Sequence, residues 1–222
     1  MRLRLLTALL IALVPVNALR LALYRLLLGY EIGPGCRIGM LNLIACRSLR
    51  LGAGAVIGRG NVIRGGFDFV AGPRLVVGDL NVFHCPKALD HPKLAARAYA
   101  TRLELGADCL VNDAHYFDLH GRIAVGDGTW IAGRGSQFWT HGVSVADRDI
   151  AIGSGCFVGS AVRFAPGSGV GDGVIVGIGS VVLGRIDARD ALVSGFPAAA
   201  VRSIAVDRLA GRYRFSRDDW AA

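Results

Sequence analysis

Five histidines and five cysteines hold most of the chemistry this 222-residue chain could perform. His141 stands in QFWTHGVSVADRD, residues 137–149, a stretch with no regular pattern. An imidazole titrates near neutrality, so a histidine there is suited to take a proton from a hydroxyl or an amine. The plain alternative is a histidine satisfied by hydrogen bonds of its own loop. His115 and Asp118 share the segment AHYFDLHG, which ends at His120 and Gly121. His84 and His91 fall in HCPKALDHPKLAARAYATR, residues 84–102, and read as exposed loop histidines. The cysteines, at 36, 46, 85, 109 and 156, form no CxxC pair. They read as packed free thiols of a reducing compartment rather than disulfides or a metal cluster.

What must position these residues is a repeat. Ile152, Val158, Phe164, Val170, Val176 and Val182 recur every six residues, and glycine follows at 153, 159, 171 and 177. Cys156, Val162, Ser168, Val174 and Ser180 hold the fifth place of successive hexads. Neither a helix, with period 3.6, nor an ordinary strand, with period 2, makes this pattern. A period of six predicts a parallel β-helix: the aliphatic residue points into the coil, and small residues let the backbone turn. Earlier hexads open at Ile32, Ile38, Leu51, Ile57, Val77, Leu105, Val125 and Ile131. Asn42, Asn61 and Asn81 fall at fifth positions about one coil apart, which predicts a stacked amide ladder inside the coil. Residues 84–102 read as a loop ejected from the solenoid, and residues 137–149 as a second interruption.

Residues 1–29 differ from the rest. They carry Arg2, Arg4, Arg20 and Arg25 among leucines, and no acid precedes Glu31. A membrane-spanning helix would bury central arginines at about 2.5–3.5 kcal/mol each, and Pro15 would kink it. A secretory signal would have only a poor cleavage site at Val16-Asn17-Ala18. A basic amphipathic helix in the membrane interface fits better, with a helix capping the open end of the solenoid as the structural alternative; the two are compatible. This places the protein in the cytoplasm, peripheral on the inner face of the plasma membrane. The net charge of +8 suits an acidic partner, whether anionic lipid or a phosphate-bearing cofactor. No basic run interleaved with aromatics marks a nucleic-acid module. We therefore divide the chain into an N-terminal helix at 1–29, the β-helix at 30–196, and a short helix and tail at 197–222 with Tyr213, Phe215 and Trp220.

The block WTH, then DIAIGSGCFVGSAVRFAPGSGVGDGVIVGIGSVV, then SGFPAAAVR resembles the hexapeptide-repeat acyltransferases, including bacterial sugar and polysaccharide O-acetyltransferases. The resemblance covers nearly all of residues 30–202. It implies an all-β, left-handed parallel β-helix and a homotrimer with sites between neighbouring subunits. It also implies transfer of an acyl group from acetyl-CoA or a related thioester, without a metal. By the same resemblance His141 is the general base, and Gly159 and Ser160 meet the acyl group and its oxyanion. Gly177, Ile178, Gly179 and Ser180 line the pantetheine arm, with coil packing as the other role open to Gly179 and Ser180, and Arg202 lies near the nucleotide end. Phe157 and Ile178 stand where the family usually has Trp and Ala, which would narrow the pantetheine contact. The HYFD and FWTH segments resemble those of glycan-directed members, so we expect His115, Asp118 and Trp139 to meet a sugar or glycan acceptor, which the apolar N-terminus suggests is lipid-linked. The hexad count would instead turn His115 inward. An amine acceptor stays open. A rival resemblance, to γ-class carbonic anhydrases, would use His84, His115 and His120 as zinc ligands. A third reading is a non-catalytic solenoid for assembly or carbohydrate binding.

Overall fold

A computed structural model describes residues 2–86, 99–142 and 145–206. His91 and the aromatic tail lie outside these residues. The described chain is a parallel β-helix with three faces. One face runs through Arg102–Leu105, Arg122–Val125, Ile150–Ile152 and Gly169–Val170; the second through Val56–Ile57, Val76–Val77, Trp130–Arg134 and Phe157–Val158; the third through Val82–His84, Tyr116–Asp118, Gln137–Trp139 and Arg163–Phe164. Two long strands, Leu43–Leu51 and Val62–Ala71, bend across a corner and join the first and third faces into one thirteen-stranded sheet. In the regular coils Phe157 pairs with Ile175 and Arg163 with Val181, each eighteen residues on. That offset is three hexads, so each hexad opener sits above its counterpart.

The two kinds of small residue in the hexad have different causes. Glycine at the fourth place takes the left-handed conformation, as at Gly155 with φ 61° and Gly173 with φ 69°. At the second place the constraint is the next coil: a Cβ on Gly153 would lie 2.6 Å from the backbone of Gly171 and Asp172. The expected corner role therefore belongs to the fourth place, and the second place is set by coil-to-coil approach.

Inside, one corner carries a ladder of side chains. The Asn61 backbone N–H donates to Asn42 Oδ1 and that of Asn81 to Asn61 Oδ1, each at 2.8 Å. The ladder continues beyond the amides: His115 N–H donates to Asn81 Oδ1, and Ser136 N–H donates to His115 Nδ1. Beneath the third face Phe83, Phe117, Phe138 and Phe164 stack in sequence with centroids 4.4 to 5.2 Å apart. At another corner the Cys36, Cys109 and Cys156 thiols donate to carbonyl oxygens of the following coil. All five cysteines are buried, and none forms a disulfide among the described residues.

The N-terminus forms two helices, α1 (Arg2–Ala12) and α2 (Asn17–Leu28), broken around Pro15. Together they close the first coil. Buried Arg20 donates to the carbonyls of Ile38 and Val14, Tyr24 to Asn42 O, and Tyr30 to Ile44 O and Cys46 O. Arg4 and Arg25 likewise donate to Leu28 O and Ile32 O. Arg4, Arg20 and Arg25, expected on the polar face of one amphipathic helix, thus turn toward carbonyls, because a break at Pro15 leaves no single helical wheel. Leu3, Leu6, Leu10, Leu13 and Leu26 face outward instead. No described helix is long and apolar enough to cross a membrane. At the other end, Ala198–Ser203 folds back antiparallel on Ala191–Gly195, so the segment expected as helix and tail opens with a strand.

Candidate active site at the end of the third face

Three neighbouring strands of the third face end together. Their register sets His84 beside Asp118 and Asp118 beside Trp139. Since Phe83, Phe117 and Phe138 point inward, strand alternation turns His84, Asp118 and Trp139 outward. The chain leaves the last strand through Thr140 and His141, and the middle one through Leu119 and His120. The repeat thereby delivers the irregular residues to one corner.

His141 Nδ1 lies 2.8 Å from Asp118 Oδ2, and the Asp118 side chain is only 1% exposed. A carboxylate accepts, so Nδ1 is the donor of this pair, and in the neutral imidazole that leaves the lone pair on Nε2. Thr140 fixes the pair. Its N–H donates to Asp118 Oδ2 at 3.2 Å, its hydroxyl donates to Asp118 O at 2.6 Å, and its oxygen accepts from Gly121 N–H at 2.9 Å. Trp139 stands edge-on to His141, with centroids 5.7 Å apart, and packs on Tyr116 at 4.9 Å. The result is an oriented base beside an aromatic wall, the arrangement needed to strip a proton from a hydroxyl.

His120 also reaches this corner, its ring 4.8 Å from that of His141. Burial, followed by the His141, Arg148 and His84 charges, lowers its pKa, against the opposing pull of Asp118. His84 is lowered in the same way, by burial and then by Arg64. His120 and His84 reach the site because neighbouring strands of the third face end there; in the sequence only the zinc reading singles them out.

Two expected acceptor contacts are buried. Asp118, 1% exposed, puts Oδ2 on His141 Nδ1 and orients that ring. His115 is a rung of the inner ladder, 1% exposed, with burial pushing its pKa down to about 4. It faces the inside of the coil while His84 and His120 face the outer corner, so the three do not form a zinc shell.

The residues expected to meet the thioester gather elsewhere. Ser160 precedes the third-face strand Arg163–Phe164, whereas His141 follows the strand Gln137–Trp139 beside it. They occupy opposite edges of one face. Gly159 N–H donates to Val176 O, Gly177 N–H to Val193 O and Gly179 N–H to Ser160 O, so these donors serve the coil. The expected Gly159 oxyanion contact is therefore corrected to a backbone rung. Ser180 is buried, its hydroxyl on Gly177 O at 2.7 Å, which is the packing role. Ile178 projects into solvent at that corner, 76% exposed. Arg202 is exposed on Ala198–Ser203, opposite Leu192.

Solved structures share this architecture. The polysialic acid O-acetyltransferase OatWY aligns with a TM-score of 0.54 at 14% identity, over 78% of this chain and 88% of that one. The UDP-N-acetylglucosamine acyltransferase from Campylobacter jejuni aligns at 0.51 and 14% identity, over 86% of this chain and 76% of that one. A hexapeptide-repeat acetyltransferase from Vibrio cholerae, VCA0836, complexed with acetyl coenzyme A, gives 0.44 at 20% identity, over 91% and 87%. No protein-family profile and no curated protein matches the chain. The fold is the left-handed parallel β-helix of the hexapeptide-repeat acyltransferases.

Proposed function

We propose that the protein is an acyltransferase that moves an acetyl group from acetyl-CoA to a sugar hydroxyl of a cell-envelope polysaccharide or its lipid-linked precursor. The observation that carries this reading is the His141–Asp118 pair, a half-exposed imidazole held through Nδ1 by a buried carboxylate. In this reading His141 Nε2 takes the hydroxyl proton as the oxygen attacks the thioester carbonyl, the C–S bond breaks, and the thiol of CoA leaves with a proton. Asp118 stabilises the imidazolium formed on the way. The fold is one that solved acyltransferases of sugars and glycans use, which supports the sugar acceptor; an amine would be deprotonated by the same base.

A homotrimer is part of the proposal. One chain puts His141 at one edge of a face and Ser160 with Ile178 at the other, so a second copy is what would bring a base to an acyl-binding corner. Attachment to the inner face of the plasma membrane is proposed through the outward leucines of α1 and α2. The test of the central claim is acetyl-CoA consumption across a panel of sugars. His141→Ala should lower transfer by about 10²–10⁴ and leave CoA binding intact; turnover close to that of the unaltered chain would remove His141 from its role.

A further inference from the structure

Arg148 is a buried cation at the edge of this site with no counter-ion among the described residues. It is 7% exposed, its Nε has no hydrogen-bond partner, and it makes no ion pair among the described residues. Its guanidinium lies 3.9 Å from the centroid of the Tyr99 ring. The acids on either side of it in the chain are turned away. Asp149 accepts from Arg122 N–H at 2.9 Å, and Asp147 accepts from Asp149 N–H and lies 3.8 Å from Arg185. The Arg148 backbone packs on Gly121, where a Cβ would meet Arg148 Cβ at 2.9 Å, directly after His120. His120 is itself only 9% exposed, and its Nε2 is likewise without a partner.

Among the described residues the charge of the corner is one-sided. Arg64 stands 3.5 Å from His84, Arg148 stands near His120, and Asp118 is the carboxylate already committed to His141. A buried guanidinium with no carboxylate is costly, and natural proteins keep such groups where a ligand completes them. A guanidinium fork matches carboxylate and phosphate oxygens, and a neutral imidazole beside it supplies one further donor. The histidines and Asp118 also come within 4.8 Å of one another at His120 and His141, but two arginines beside them oppose a metal cation.

We propose that Arg148 and His120 receive an anionic group of the acceptor, a carboxylate or phosphate on the same sugar whose hydroxyl His141 deprotonates. The acceptor of this enzyme is then an acidic or phosphorylated sugar, and the anion fixes which hydroxyl faces His141. This rests on the acyl-transfer reading for the identity of the ligand as acceptor.

The experiment reads binding without turnover, so it stands or falls apart from the His141→Ala test. The full chain is labelled at histidine and titrated with inorganic phosphate, glucuronate and neutral glucose while the His120 resonances are followed by NMR. Phosphate or glucuronate should shift them saturably and glucose should not, with the tighter of the two naming the anion. Arg148→Gln should weaken that binding by at least about tenfold, Arg148→Lys by less, and neither should change the affinity for acetyl-CoA. The proposal is overturned if neither anion shifts His120, or if Arg148→Gln binds as the unaltered chain does. It is equally overturned if acetyl-CoA binding weakens in parallel, which would assign Arg148 to the donor, or if Zn²⁺ alone shifts His120. Should Arg148→Gln fail to fold, the response of the unaltered chain to the two anions decides.

Discussion

His141 and Asp118 are 23 positions apart in the chain, yet their side chains meet at 2.8 Å. The meeting is made by parallel register. Asp118 ends one third-face strand, Trp139 ends the next directly beside it, and two further residues carry the chain back over the carboxylate. The pair predicts a specific kinetic pattern. His141→Ala should lower turnover by about 10²–10⁴, and Asp118→Asn should cost a comparable factor by losing the tautomer and the countercharge. Because the two act as one unit, the double variant should be little slower than His141→Ala alone, as measured by initial rates of CoA release.

His115 ties stability to pH. Its pKa falls from an ordinary value near 6.5 to about 4 on folding, so the unfolded chain binds more protons between those values. The stability it supports is present above about pH 6.5 and is lost as pH falls toward 4, an effect on the order of 3 kcal/mol. His115→Asn would keep an amide in the ladder that Asn81 and Ser136 flank. Denaturant midpoints at pH 7 and pH 5 should differ less for that variant than for the unaltered chain; an equal difference would assign the pH sensitivity to His84 and His120.

Removing one inward arginine should separate the structural use of the N-terminal helices from any membrane role. Arg20→Ala strands the carbonyls of Ile38 and Val14 and should destabilise the fold by about 2–3 kcal/mol in thermal or urea unfolding.

The outward leucines should behave oppositely. Replacing Leu6, Leu10 and Leu13, which are 56%, 63% and 61% exposed, with serine should leave the unfolding midpoint nearly unchanged. The same change should reduce co-sedimentation with anionic vesicles by at least about tenfold, since each buried CH₂ contributes about 0.8 kcal/mol to membrane partition. Unchanged vesicle binding would detach the cap from the membrane.

Phe117 lies between Phe83 and Phe138 in the stack directly under the site. Phe117→Ala should cost roughly 3–5 kcal/mol by leaving a cavity where the flanking rings cannot close. It should also lower activity more than a substitution of equal cost in the N-terminal cap, because its strand carries Asp118. Comparing rates at matched fractions folded checks this.

The sequence by itself determined the coil. Hexad openers from Ile32 to Val182 and the fifth-place Asn42, Asn61 and Asn81 report local geometry that repeats, so periodicity alone reads it. It also marked His141, since a break in so regular a pattern stands out. Only the tertiary structure decided which side each chemical residue takes. His115 and His120 are five positions apart, but the chain turns a corner between them, sending one into the ladder and the other to the outer surface. The likeness of HYFD to glycan-directed members points Asp118 at an acceptor; in the fold the returning loop at Thr140 and His141 covers it. Arg148 gave no signal, since an arginine between two aspartates reads as paired until packing shows both acids turned elsewhere. A period reports how each residue lies relative to its own strand, whereas these contacts are set by where neighbouring coils end.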